Sequence, residues 1–381
     1  MALDLTELID KLPPLKIPYL HSNETIGIDL GSSSIKIAQL KKAKEGNLEL
    51  VRWAILPLSQ PGEGEKVELN PEEKKAFAIQ SLKSYRGSGK KIPKNACTAV
   101  AGTSIIVRYV KFPKIVPKEF IKNIKKEAES YIPFNIEEVY LTYFPLRNIQ
   151  EDGKELTETV LVAAKKDFIN QKIEILESSG FKASVVDIDA FALEAIYTLT
   201  QDKTPIEEIV LVSNIGHQKT NFVIIEKGVS VVVKDSPISG NSIEKLIMKN
   251  LLVDSKVAEK LKLAHGLMLN TEEKEAAGKE GQTVSDAILM TMKDFISETK
   301  KIIQYYATQA KDKKINRLLI AGGTSNIKNL ANYLSAELNL PVEKLNPLKM
   351  ISGAQAVPED AQTTLSIALG LALRKSGDIK L

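Results

Sequence analysis

The residues of this chain best suited to chemistry lie in short glycine turns. Gly31-Ser32-Ser33-Ser34 follows the alternating run Ile26, Ile28, Leu30 and precedes Ile35, Lys36, Ile37 and Ala38. Glycine lets backbone N–H groups come close to an anion and serine hydroxyls add donors, so such a turn can clamp a phosphate. A lone glycine-serine turn in a hairpin is more often only a turn, but here the design recurs. Asn214-Ile215-Gly216 lines up with Asp29-Leu30-Gly31, polar residues run through His217, Gln218 and Thr220, and Phe222-Val223-Ile224-Ile225 follows. A third element, Gly322-Gly323-Thr324, comes after the apolar run Leu318 to Ala321. Two clamps and a diglycine loop together suit a nucleotide cleft. Asp29 could orient a water on Mg2+, since a hard cation prefers carboxylate oxygen and keeps part of its hydration shell; the alternative is a carboxylate that bonds its own turn.

Two other phosphate-binding designs do not match. A P-loop leads into a helix and needs a Gly-Lys-Ser/Thr ending, whereas a strand follows Gly31. No G-x-G-x-x-G fingerprint stands after the predicted strands.

The elements that must position these turns follow from periodicity. Period-two alternation on both sides of Gly31 and of Gly216 predicts two β-hairpins, and their recurrence predicts two related lobes. Between the lobes the pattern predicts a strand from Ile105 to Phe112, a helix from Pro117 to Tyr131, strands Val139 to Leu146 and Thr159 to Ala164 joined near Asp152-Gly153, a helix from Lys166 to Ser179, and a strand from Ala183 to Val186. That order, β-α-β-β-α-β, reads as an inserted subdomain at 105–187. Residues 24–104, 188–208 and 352–381 are assigned to the first lobe, and 209–351 to the second, with a helical subdomain at about 237–300. The charged run Thr271 to Gln282, with two glycines and almost no large apolar residue, is expected to be an exposed loop. Residues 1–23 carry Leu5, Leu8, Ile9 and Leu12 at helical spacing before Pro13, Pro14 and Pro18, an amphipathic arm.

Bulk properties narrow the function. A chain of 381 residues, 43% hydrophobic and 26% charged, buries a large core. Its 52 basic and 48 acidic residues nearly balance, which gives no electrostatic case for nucleic acid or an anionic membrane surface. The single cysteine, Cys97, permits no internal disulfide and suits a small buried side chain. Three scattered histidines do not make a zinc site. With no run of about 20 apolar residues and an acidic N-terminus, the chain is expected in the cytoplasm.

From Thr25 to Arg374 the sequence resembles the superfamily of actin, Hsp70 and sugar kinases, and within it the PilM family of type IV pilus assembly. Ile26 to Lys36 is similar to the superfamily's first phosphate motif, Val185 to Leu193 to its connecting motif, Asn214-Ile215-Gly216 to its second phosphate motif, and Gly322-Gly323 to its adenosine motif. Phe112-Pro113-Lys114, Glu127 to Phe134, Asn346-Pro347 and Ala368 to Arg374 resemble PilM in particular. The implied fold is α/β, an actin-like or ribonuclease-H-like duplicated two-lobe fold. The implied cofactors are ATP and Mg2+. By this resemblance Gly31, Ser32, Ser33, Ser34, Lys36, Gly216, His217, Gln218, Thr220, Gly322, Gly323 and Thr324 contact the nucleotide, Glu259 and Lys262 reach its ribose and base, and Asp29 and Asn214 hold the metal through water. The implied partners are the cytoplasmic tail of a PilN-like inner-membrane protein, in a groove beside the inserted subdomain, and the pilus motor ATPases or platform protein. Membrane association would come only through partners.

Asp189 stands where active relatives place the acid that aligns the attacking water; the alternative is a helix N-cap. Asn214 replaces the usual aspartate and lacks its charge, which favours a binding scaffold with little or no ATPase activity. An active ATPase or small-molecule kinase and a filament-forming protein like FtsA are the competing readings.

Overall fold

The structure, a computed structural model, describes residues 25–43, 47–58, 70–88, 91–113, 126–201, 206–310 and 313–375. The arm expected at 1–23, most of the helix expected over Pro117 to Tyr131, and the tail beyond Lys375 lie outside the described residues.

In the first lobe, β1 (Thr25–Leu30) and β2 (Ser34–Lys42) form an antiparallel hairpin with Asp29 opposite Lys36. Strand β3 (Leu48–Pro57) extends it. Helix α1 (Pro71–Arg86) starts on a reciprocal cap: the Asn70 side chain accepts from the Glu73 N–H at 3.0 Å, and Glu73 accepts from the Asn70 N–H at 2.8 Å. The chain then returns as β4 (Asn95–Val100), parallel to β1, which is the arrangement a helical crossover allows.

The inserted segment follows. Strands β5 (Ile105–Pro113), β6 (Val139–Glu151) and β7 (Lys154–Lys165) make a separate antiparallel sheet in the order β5-β7-β6. Asp152 and Gly153, both at positive φ (49° and 74°), form the tight turn between β6 and β7. Helix α2 (Lys166–Ser178) and strand β8 (Lys182–Ile188) complete the expected chain order, yet β8 does not join the small sheet. It pairs in parallel with β4, bringing the end of the 105–187 segment into the first lobe. The reason lies in β4, whose residues from Ala96 to Val100 are all buried: a strand covered on both faces needs a partner along its free edge.

After helix α3 (Asp189–Leu199), strands β9 (Ile209–Ile215), β10 (Thr220–Glu226) and β11 (Val229–Ser236) form the second lobe's meander. Helices α4 (Gly240–Leu251), α5 (Ser255–His265) and α6 (Thr271–Gln309) make its helical part. Strand β12 (Arg317–Ala321) runs parallel to β9, and α7 (Leu330–Leu338) leads to β13 (Val342–Lys344). Strand β14 (Ile351–Ser352) crosses back to β3, and α8 (Ser366–Ala372) closes the described chain. The sheets run β14-β3-β2-β1-β4-β8 and β11-β10-β9-β12-β13, so β3-β2-β1-β4-β8 has a counterpart, strand for strand, in the second lobe.

The run Thr271 to Gln282 is helical, which overturns the expected loop. Asn270 caps it by accepting from the Glu273 N–H at 2.8 Å, and Glu273 accepts from the Leu269 N–H at 2.8 Å. Of its two glycines, Gly278 (φ 62°) kinks the helix, while Gly281 is buried against Met268 and His265. Glutamate, lysine and alanine are good helix formers, and the polarity of the run reflects one solvated face.

The main core cluster lies between the lobes, around α3 and α8. The two helices approach closely: a Cβ on Gly370 would fall 2.0 Å from the Ala192 carbonyl oxygen. No helix among the described residues is long and apolar enough to cross a membrane. Cys97 is fully buried.

Candidate functional site

The two hairpin turns sit in equivalent places on the two sheets, and the space between them is lined by six charged side chains. From the first lobe comes Asp29, whose carboxylate lies 3.6 Å from Lys36 Nζ. Lys36 Nζ would be 2.7 Å from a Cβ on Gly31, so any side chain at this glycine displaces the lysine or the Ser34 carbonyl. Lys172, on α2, donates to the Leu30 carbonyl at 2.7 Å. Burial pulls the Lys172 ammonium down to about 8, against the attraction of Asp29.

Asp189 is the first residue of α3 and is buried. Its carboxyl makes no cap: Ile188 stands at the cap position, so the N-cap alternative is not what the helix uses. Desolvation pushes Asp189 up to about 6, with Asp29 and Asp235 adding to the rise and Lys219 and Lys172 opposing it. The start of α3 is held by Arg374, which donates to Asp187 at 2.7 Å and to the Phe191 carbonyl at 3.1 Å.

On the second lobe, Asn214 donates to Asn221 at 2.9 Å, and Asn221 donates to Asp235 at 2.8 Å. Asp235 also accepts from the Gly102 N–H of the first lobe at 2.5 Å. Lys219, at the end of the second turn, reaches across to the Ala101 carbonyl at 2.9 Å. Thus one amide network and one lysine latch the lobes at the cleft floor.

A second group of residues gathers around Gly216. The Gly240 N–H donates to the Gly216 carbonyl at 2.9 Å, and the Thr324 hydroxyl donates to the same oxygen at 3.4 Å. Gly322, at φ 83°, packs on Ile215 and Asn214, where a Cβ would meet the Ile215 carbonyl at 2.6 Å. Lys262 forms a buried ion pair with Glu244, which also lies 3.5 Å from His217. Burial works against the Glu244 carboxylate, but His217 and Lys262 hold it below the usual range.

The structure therefore brings together Asp29, Gly31, Lys36 and Asp189 on one side, and Asn214, Gly216, His217, Gly322, Thr324 and Lys262 on the other. The turn serines and Gly323 adjoin these groups in sequence, and Gln218 is exposed. Thr220 is buried with its hydroxyl given to the Ile238 carbonyl at 2.7 Å. Glu259 is exposed on α5, one turn before Lys262. Lys172, Lys219, Asn221, Asp235 and Gly240 were not singled out from sequence. Lys219 and Asn221 flank Thr220 and were within reach of that reading; Lys172 was not, being 142 residues from the carbonyl it holds.

These groups fit a polyphosphate: glycine turns whose Cβ positions are filled by their own surroundings, with ammonium groups beside them. They do not fit Mg2+. Asp29 faces Lys36, Asp235 already accepts two hydrogen bonds, and Asn214 is neutral and bonded to Asn221. Among the described residues, no group of three or more His, Cys, Asp or Glu side chains is placed to hold a metal ion.

A duplicated sheet, an inserted small sheet and a cleft between two glycine turns define an actin-like two-lobed fold. A solved PilM–PilN type IV pilus biogenesis complex is similar at a TM-score of 0.74 and 23% identity, covering 92% of this chain and 98% of that one. A MamK double helical filament is similar at 0.52 and 14%, covering 92% and 99%. A family model described as type IV pilus assembly protein PilM matches residues 27–376. The chain belongs to that family.

Proposed function

We propose that this protein is a nucleotide-loaded cytoplasmic scaffold of type IV pilus assembly. It holds ATP between its lobes, takes the cytoplasmic tail of a PilN-like inner-membrane protein, and links that protein to the motor ATPases or platform protein. The observation that carries the nucleotide reading is the convergence of both glycine turns and three lysines on one cleft. Gly31 to Ser34 with Lys36, and Gly216 with Thr324, would hold the phosphates. Asp189 would orient an attacking water, but it takes up a proton near pH 6, and Asn214 on the second hairpin is neutral, which supports slow turnover at most.

A groove beside the inserted sheet supports the partner reading. Ile105, Val107, Ile188 and Val233 are among its apolar lining residues, and Arg108, Lys234 and Asp235 are its charged ones. Strands β5 and β11 are both edge strands of their sheets, so an extended tail could pair with either.

Calorimetry with ATP, followed by phosphate release over hours, tests the first part: tight binding with negligible release is expected, and sustained release would favour an ATPase. Titration with a peptide of the PilN-like tail tests the second. Val107→Lys is expected to weaken it about tenfold or more by replacing an apolar lining side chain with a charged one. Unchanged peptide affinity in that variant would move the partner site elsewhere.

A further inference from the structure

We propose that this cleft binds the nucleotide's polyphosphate with three lysine ammonium groups, Lys36, Lys172 and Lys219, in the role usually given to Mg2+. The inference rests on the nucleotide reading above and adds what neutralises the phosphates. The three lysines come from separate elements, β2, α2 and the second turn, yet all close on the two glycine turns. Lys36 Nζ lies over Gly31, Lys172 Nζ is bonded to Leu30 immediately before that glycine, and Lys219 follows the second turn and spans the cleft to Ala101. An ammonium has three N–H donors. The Lys172 and Lys219 bonds to protein carbonyls each use one, and the Lys36 contact with Asp29, at 3.6 Å, is electrostatic and beyond hydrogen-bond length. Donors therefore remain for phosphate oxygens.

The same arrangement works against a divalent cation. A hydrated Mg2+ needs nearby negative charge or free oxygen ligands. Here the carboxylates of Asp29, Asp189 and Asp235 are matched in number by the three ammonium groups. Asp29 is engaged by Lys36 and Asp235 by two N–H donors, so the site offers a divalent cation no net negative charge, and the remaining carboxylate, Asp189, has Lys172 and Lys219 nearby. A polyphosphate anion instead meets three ammonium groups that keep N–H donors to spare.

The test is ATP affinity of the full chain by calorimetry, in excess Mg2+ and in EDTA. The expected dissociation constant in EDTA lies within about fivefold of that in Mg2+. Binding weaker than that in EDTA, or absent from it, overturns the lysine clamp while leaving the nucleotide reading intact. No binding under either condition overturns both. Lys172→Gln and Lys219→Gln, checked for unchanged melting temperature, are each expected to weaken binding in EDTA about tenfold or more. If both variants melt as the parent does and bind ATP as tightly in EDTA, the lysines do not hold the phosphates. Should one variant fail to fold, the other and the EDTA comparison on the parent protein still decide the matter.

Discussion

The two hairpins at the cleft share a backbone and differ in charge. In both, the residue two before the glycine pairs with the residue seven positions on: Asp29 opposite Lys36, Asn214 opposite Asn221. The first pair is an ion pair at 3.6 Å, the second an amide hydrogen bond at 2.9 Å. The two hairpins share the register that carries a glycine turn to the cleft, while their side chains serve different contacts. The first hairpin keeps its charges at the glycine turn. The second runs its polar groups sideways through Asn221 and Asp235 to Gly102, and so fastens one lobe to the other.

Gly31→Val against Gly216→Val breaks the comparison most severely. A Cβ at Gly31 meets Lys36 Nζ at 2.7 Å and the Ser34 carbonyl at 2.8 Å, whereas at Gly216 the close neighbour is the Lys219 carbonyl at 2.9 Å, within its own turn. Gly31→Val is expected to lower ATP affinity about a hundredfold or more, and Gly216→Val by less. Calorimetry on both, with circular dichroism to confirm folding, checks this; wild-type affinity in a folded Gly31→Val removes the first hairpin from the site.

Stability should divide the other way. Asp235→Ala leaves the Gly102 N–H and the Asn221 amide without their acceptor, which is expected to cost about 2–3 kcal/mol in urea unfolding. Lys36→Ala removes an ion pair that keeps some contact with solvent, and is expected to cost about 1 kcal/mol or less. A larger loss for Lys36→Ala would show that the first hairpin, not the second, holds the cleft together.

How much of this was legible in the sequence depends on range. The hairpins and their repeat were visible because alternation and glycine are local signals, and Asp29, Gly31 and Asn214 came with them. The pairing of β8 with β4, the position of Lys172 and the bond from Asp235 to Gly102 depend on which strand edges meet in three dimensions, and no local pattern records that. Thr271 to Gln282 misled for a different reason: composition describes its solvated face, while the cap at Asn270 and the burial of Gly281 decide its conformation. Lys262 lies near the expected adenosine side, but its charge is already matched by Glu244.

Asp189 stands between the hairpins and gives the comparison a pH dependence. Its folded value of about 6 exceeds the 3.8 expected of a free carboxyl. As pH rises from about 4 to 6, the unfolded chain gives up this proton before the folded one does, so stability falls across that window and stays lower above it. Asp189→Asn removes the effect. Without nucleotide, the variant is expected to gain about 1–2 kcal/mol on wild type between pH 4.5 and 7.5. Parallel stability curves for the two proteins would place Asp189 in a more polar setting than its buried position indicates.

The smallest expected effect is the most informative about how the hairpins diverged. Asn214→Asp gives the second hairpin the carboxylate of the first, but not its partner, since Asn221 stands where Lys36 does. The Asn221 amide can turn so that its nitrogen donates to the new carboxylate, but its oxygen then faces Asp235, and one hydrogen bond of the network is lost. Stability is expected to fall by about 1 kcal/mol. The new carboxylate also offers Mg2+ a ligand close to the cleft, while adding negative charge near the phosphates. ATP affinity should therefore stay near wild type in Mg2+ and drop several-fold in EDTA, making the variant more dependent on the metal than its parent. If affinity falls equally in both conditions, Asn214 acts only through the amide network, and the neutral pair of the second hairpin serves the latch between the lobes rather than the choice of counterion.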